Sequence, residues 1–518
     1  MDTEPPPWAP YEDIDLPADL VRWTISEAIK KPGKIAPARA ARREKIGALF
    51  DPSDTRPVIQ IKAGVVDRLA TEAEDVLIAS GRPVFQRGSA LVRPVTFEVP
   101  ASRGRVTISA GLSQLTQPAL IDTYAQIAQW EKYDKRSEAW LPADPSALVA
   151  AVHLSRAGAW RVPPVAGVIT TPTLRPDGTV LLEPGYDAAT RLYYIPDPTL
   201  RLPPLIEQPT VRDAEIACEF LLDLIDGFPF VSDVSKSVAL SMLITPIVRG
   251  ALSVVPLHAA KASTAGTGKS FLVDLACAIS TGRPCPVASA AANIEETEKR
   301  LVGLLLAAFP IVSIDNLNGE LGGDVLCQAV ERPLIRVRPL GSSEIIEIES
   351  RACIFATGNG LRVTGDMVRR TLLAVLDANM ERPELREFDR NPVAEVVADR
   401  GAYVAACLTI VRAYANAGNP GQLPPLASFE DWSNIVRSAL VWLGQADPCK
   451  SMEEAREDDP ELTDMRMIMT AWHGAFGADA TTVRKAIEAA TTMVGQADEH
   501  GDVPSYGATM TPASPDLR

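Results

Sequence analysis

Residues 262–270 read ASTAGTGKS, and how this stretch is read decides the fold. It closes on Gly268-Lys269-Ser270, the end of a phosphate-binding loop of the form G-x-x-x-x-G-K-[ST]. The first glycine of that pattern is Ser263 here. The context still suits the mechanism. SVVPLHAAKA (253–262) is an apolar strand leading in, and SFLVDLACAIS (270–280) has the pattern of a helix leading out. In such a loop Ser263, Thr264, Ala265, Gly266, Thr267 and Gly268 wrap phosphate. The two glycines let backbone N–H groups turn inward. Lys269 reaches the β- and γ-phosphates, the Ser270 hydroxyl holds Mg²⁺, and the helix start adds its positive dipole end. ATP and Mg²⁺ are therefore the expected ligands. Ser263 lies at the strand exit, where a small residue other than glycine can serve.

Outward from the loop, strands and helices alternate from about 251 to 395. FPIVSIDNLNG (309–319) is a buried strand ending in Asp315, placed about forty-five residues after the loop, as in a Walker B motif. Asp315 would position the metal with Ser270. The next residue is Asn316, an amide, which cannot act as a base where related ATPases carry glutamate. Either Asn316 only orients water or a carboxylate from elsewhere serves. Glu295, Glu296 and Glu298 precede this strand on their own helix, where they also fit a solvated, dipole-complementing face. ACIFATGNG (352–360) is a second buried strand, ending in Asn359, which fits either a γ-phosphate sensor or an Asn-Gly turn. GDMVRRTLLAVLD (365–377) presents Arg369 and Arg370 as arginine-finger candidates, or as partners of a surface salt bridge. Continuous apolar strands between helices specify a parallel sheet covered on both faces, an α/β class.

The remaining chain reads as four regions besides an arm. Residues 1–55 are proline-rich and then basic, a linker or a tether. Residues 56–200 suit an N-terminal α+β domain, with TLRPDGTVLLEPGYD as a strand–turn–strand. Residues 201–250 suit a helical connector, 396–475 a C-terminal helical region, and 476–518 the first helix of a winged-helix segment cut short. The 518 residues carry a net charge of −15, which argues against a surface coated for nucleic acid but leaves room for a local basic lining. Seven scattered cysteines with no CxxC pair, and four histidines, indicate no zinc site. Cys277 and Cys353 sit in apolar runs as core residues. The apolar run 301–314 is too short for a bilayer and contains a proline, so no membrane partner is expected. The start, MDTEPPP, lacks a secretory pattern, and a cytoplasmic location is the expectation.

The order of loop, Asp-ended strand, hairpin (334–349), Asn-ended strand and paired arginines resembles an AAA+ core. Together with VFQRGSALVRP (84–94), GVITTPTLRPDGTVLLEPGYD (167–187), GFPF (227–230), EETEKRL (295–301) and RR…ERPELREF (369–388), it is similar to the superfamily 3 and primase-helicase ATPases of phages, plasmids and integrated elements, over roughly residues 56–475. The resemblance implies a homo-hexameric DNA helicase or translocase acting on single-stranded or forked DNA, with the arginine supplied across subunits and priming left to a separate primase. It also implies that the pre-sensor hairpin grips DNA through Arg336, Arg338, Ser342 and Ser343. The tip lacks the lysine or histidine of some relatives, and the arginines also suit pairing with Glu344, Glu347 or Glu349. Two other functions fit the same motifs: a mobile-element or defence-associated remodeller that does not unwind, and a nucleotide-gated assembly module.

Overall fold

Five short segments with almost no polar side chains facing outward must be buried on both faces, and they are. In the computed structural model they form one all-parallel sheet. The strands are β1 (Leu257–Ala262), β2 (Val287–Ser289), β3 (Ile311–Asp315), β4 (Cys353–Gly358) and β5 (Thr371–Leu376), in the order β2-β3-β4-β1-β5. The structure describes residues 53–290, 293–339, 345–380, 382–386, 390–457 and 460–494. Helix α1 (Lys269–Thr281) follows β1, and α2 (Ile294–Leu306) joins β2 to β3. Cys277 and Cys353 lie in the core, as their apolar neighbours predict.

The sheet order positions the site. β4 lies between β1 and β3, so three strand ends that are distant in sequence become neighbours. The register pairs Lys261 with Gly358 and Ile314 with Ala356, which brings the carboxyl ends of all three strands level. Crevices at the carboxyl ends of a parallel sheet, where strand order reverses, are where this class of fold binds ligands.

The chain divides into two compact units: residues 1–82 with 116–159, and residues 83–115 with 160–518. Residues 56–200 thus contribute to both. In the first unit, strand Val58–Ile61 runs parallel to Gln129–Asp134, which pairs antiparallel with Ala139–Pro142. Helices Val66–Ala79, Gln117–Ile127 and Ala147–Leu154 pack on this sheet around Ile59, Leu77, Tyr124 and Trp130. Glu74, Tyr124 and His153 are buried together there, with the Tyr124 hydroxyl hydrogen-bonded to His153 Nδ1.

In the second unit, a long hairpin of Ala90–Pro100 and Val106–Gln114 is part of the sheet-bearing body. Its anchors are polar and buried. Arg87 donates to the carbonyls of Leu305 and Leu306 at 2.8 and 2.7 Å, satisfying the open C-terminal end of α2. Leu112 N–H donates to Ala307 at 2.7 Å, and Thr107 Oγ1 to Pro284 at 2.9 Å. Strand–turn–strand pairing occurs at 173–181 as expected, Thr173–Leu174 against Val180–Leu181. Helices Val211–Ile225 and Asp233–Ile244 cover the connector region, the first capped reciprocally by Thr210 and Asp213. Helices also dominate the chain after 395, among them Arg400–Asn416, Pro460–Phe476 and Val483–Val494. The expected winged-helix ending falls mostly on 495–518, outside the described residues. Among the described residues no helix is long and apolar enough to cross a membrane.

Candidate nucleotide site

At the end of β1 the chain turns through 263–268 and enters α1. Gly266 and Gly268 have φ of +80° and +109°, a backbone that L side chains rarely adopt, and this is what lets the loop curl around an anion. Thr267 is buried and its hydroxyl donates to the Thr264 carbonyl at 2.8 Å, pinning the curl. Lys269 Nζ donates to the same carbonyl at 3.0 Å. Burial pushes the Lys269 ammonium below its ordinary pKa, partly offset by the nearby Asp315 carboxylate.

Asp315, at the end of β3, collects two hydroxyls on one oxygen. Ser270 Oγ donates to Oδ1 at 2.9 Å and Thr357 Oγ1 donates to it at 2.6 Å. A hydroxyl and a carboxylate oxygen in contact beside a phosphate-binding loop are the donors that Mg²⁺ takes from proteins, which usually give it one or two carboxylates and leave the rest to water and phosphate. No cluster of three or more His, Cys, Asp or Glu that could cage an ion by itself occurs among the described residues. The set fits Mg²⁺ held jointly with a nucleotide.

Asn316 follows with φ of +60°, the left-handed region that asparagine tolerates better than glutamate does. Its N–H donates to Thr357 Oγ1 at 3.2 Å. The turn is then laced to the end of β4. Leu317 N–H donates to the Thr357 carbonyl at 2.7 Å, and Gly319 N–H to Gly360 at 3.2 Å. A Cβ on Gly358 would lie 2.0 Å from the Leu317 carbonyl oxygen, so only glycine permits this approach.

These residues line one cleft of about 620 Å³. Ala265, Gly266, Gly268, Lys269, Ser270, Asp315, Asn316 and Asn359 all face it, with Thr357 and Arg103. Asp315 is its single acid among the described residues. The glutamates weighed as alternative bases are engaged elsewhere. Glu295 pairs with Lys299 at 2.9 Å, Glu296 lies 3.7 Å from Arg300, and Glu298 accepts from Val325 N–H at 2.7 Å.

A second cleft of about 660 Å³ shares Arg103, Gly266 and Gly268 with the first. Leu224, Phe228, Pro229 and Phe271 give it an apolar wall. The rings of Phe228 and Phe271 are 6.2 Å apart, a surface suited to a flat heterocycle. Residues 229–231 run beside β5, with Val231 N–H on Val375 and Asp377 N–H on Pro229, and so hold Phe228 against Gly268.

Arg369 and Arg370 lie away from this cleft on a 3₁₀ turn, Gly365–Arg370. Both bind Glu331 and Asp366 of the same chain, Arg369 at 3.0 and 2.6 Å, while Arg370 is buried in its pairings. Ser428 Oγ adds a bond to Glu331 at 2.7 Å. The expected hairpin forms, Leu334–Val337 against Ile346–Glu349, and Arg336 Nε bonds Glu347 at 3.2 Å in an exposed pair. Arg338 follows the first strand, and Ser342 and Ser343 lie outside the described residues.

Sequence reasoning missed four residues of the site. Thr357 stands two positions before the sensor candidate, Asn359. Phe228 belongs to the GFPF segment, which carries no chemical signature of its own. Phe271 is one position beyond the motif, and Arg103 comes from the early hairpin.

No family model matches the chain, and no curated protein matches it. Among solved structures it is similar to the apo C-terminal region of NrS-1, with 13% identity and a TM-score of 0.37, over 81% of this chain and 85% of that one. A shorter form of the NrS-1 C-terminal region, 305–718, gives 14% identity and 0.31 over 65% and 68%. Cch of SCCmec type IV, described as an active helicase, gives 12% and 0.31 over 77% and 80%. All three are distant likenesses.

Proposed function

We propose that this chain is an AAA+-type ATPase that uses ATP to move along DNA as a helicase or translocase. The observation that carries the ATPase part is the convergence of Lys269, Ser270, Asp315, Thr357 and Asn359 on one edge of the sheet, with Ser270 and Asp315 in direct contact. The phosphates lie along the loop 263–270, where Lys269 exchanges the Thr264 carbonyl for phosphate oxygens. The base lies against Phe228 and Phe271. Ser270 and Asp315 would hold Mg²⁺, which would neutralise charge on the phosphates. Thr357 keeps the Asp315 carboxylate oriented, and Asn359 and Asn316 position water at the far end of the cleft. The DNA-moving part is supported by the hairpin 334–349 and the motif order. A homo-hexamer, in which a neighbour's Arg369 reaches the phosphate, completes this reading; of the two arginines Arg369 is the more exposed.

The test is ATP turnover with and without single-stranded DNA, alongside a measurement of oligomer mass. Turnover stimulated by DNA, and abolished in Lys269→Ala, supports the motor. Undiminished turnover in Lys269→Ala would reject the site. A second reading, a nucleotide-gated assembly module, is favoured by Asp315 being the single acid among the described residues of the phosphate cleft. Tight ATP binding without turnover, with or without DNA, would select it.

A further inference from the structure

The early hairpin carries an arginine into the nucleotide cleft. Arg103 lies at its turn, in the 3₁₀ segment Ser102–Gly104, with φ of +59° and ψ of +35°. Both flanks of the turn are tied down. Ser102 Oγ donates to Asp274 Oδ2 at 3.2 Å, and Arg105 forms an ion pair with the same carboxylate. Asp274 is buried on α1, the helix that the phosphate loop opens, and its other oxygen accepts Cys285 N–H at 3.1 Å. Ala101 bridges to Pro286, just before β2. The turn is thus fixed to the phosphate-loop helix itself, and the left-handed backbone aims Arg103 apart from its anchored neighbours.

The Arg103 side chain is exposed, lies over the Phe271 ring at 5.7 Å, and lines both clefts. Among the described residues it has no carboxylate partner. Arg369, Arg370, Arg390 and Arg400, by contrast, are all in ion pairs. An arginine with a fixed backbone, a cation–π rest position and an open guanidinium suits a multiply charged anion arriving beside it. Its place is where the base cleft meets the phosphate cleft, next to Gly266 and Gly268.

We infer that Arg103 binds the nucleotide's phosphate chain in cis, so that the hairpin 90–114 is a nucleotide-contacting element of the ATPase. This rests on the ATP site proposed above. When nucleotide enters, the guanidinium leaves the Phe271 face for phosphate oxygens and frees the ring for the base. ATP occupancy then loads the hairpin directly, within one subunit.

The test is calorimetric titration of the full chain with Mg-ATP in wild type, Arg103→Asn and Arg103→Lys, with melting of each nucleotide-free protein. Asparagine removes the charge yet suits the left-handed backbone. ATP dissociation constants about tenfold or more higher in Arg103→Asn, equivalent to about 1.4 kcal/mol, are expected. Arg103→Lys should stay within about threefold of wild type, and melting temperatures should not change. Wild-type ATP affinity in Arg103→Asn would overturn the inference while leaving the ATP site standing. Equal losses in the two variants, together with lowered melting temperatures, would place the effect in the hairpin's fold rather than in the Arg103 side chain, and would also overturn it. Wild-type protein that binds no ATP would remove the site and the inference together.

Discussion

Replacing Gly358 by alanine tests the junction on which the site depends. The added Cβ would lie 2.0 Å from the Leu317 carbonyl oxygen, 2.9 Å from Leu361 Cβ and 3.0 Å from the Leu317 carbonyl carbon. A comfortable carbon–oxygen contact is about 3.3 Å or more, so one strand end must retreat by about 1 Å. Neither side is a flexible side-chain tip. The Leu317 carbonyl belongs to backbone already bonded to Thr357, and β4 is paired on both sides. Overpacking of this kind costs about 1–3 kcal/mol, and rigid backbone neighbours put Gly358→Ala at the upper end. Reduced freedom of the unfolded chain returns about 0.4–1 kcal/mol, leaving a net loss of about 2 kcal/mol. The comparator is Gly303→Ala near the C-terminal end of α2, where nothing lies within 4 Å of the new Cβ. There the same change should stabilise by about 0.5–1 kcal/mol. Denaturant unfolding of both variants reads the difference, and ATP turnover should fall only in Gly358→Ala, because the retreat displaces the Asn316 turn. If Gly358→Ala unfolds and turns over like wild type, the close approach of the two loops is wrong.

Two further substitutions probe the polar framework. Thr357→Val keeps the shape but strips a donor from Asp315 and an acceptor from Asn316 N–H; a loss of about 1–3 kcal/mol is expected, with weaker Mg-ATP binding by titration. Glu331→Gln tests the arginine cluster. Burial alone would raise the Glu331 pKa, but hydrogen bonds from Ser428, Arg370 and Arg369 outweigh it and hold the carboxyl down at about 2. A carboxyl depressed in the folded state contributes stability above its unfolded pKa and loses it as pH falls toward 2. The gap between wild type and Glu331→Gln in denaturant unfolding should therefore be full at pH 7 and shrink below about pH 4.5. A gap that does not change with pH would sink this account.

The parts of the site legible in the sequence are those in which chemistry and fold share one short stretch. A buried strand, two glycines and a lysine announce the loop at 262–270, and a buried strand ending in aspartate announces Asp315. What escaped depends on partners far along the chain. Arg105 meets Asp274 across 169 residues, and Arg370 meets Glu331 across 39. No local pattern marks either pair. The paired arginines were visible as arginines, but not as ligands of Glu331. Asn316 was visible as a missing carboxylate, but not as the residue that accommodates a left-handed turn. Phe228 acquires meaning only because residues 229–231 lie along β5.

The hairpin that carries Arg103 has a consequence for synthesis. Its strands leave the ribosome complete at Gln114, yet the carboxylate that anchors its turn is Asp274. At about 5–20 residues per second, the interval between Arg105 and Asp274 is about 10–30 s. Through that time Arg87 lacks the carbonyls of Leu305 and Leu306, although Val92 and Leu112 already have Val165 and Val168 to pack on. β5, the neighbour of β1, is finished still later, at Leu376. The nucleotide-binding unit is therefore a late-closing structure, because its sheet lacks β5 until Leu376 has been made. Nascent chains arrested before about residue 290 should hold the hairpin accessible to protease, and those extended past residue 376 should protect it.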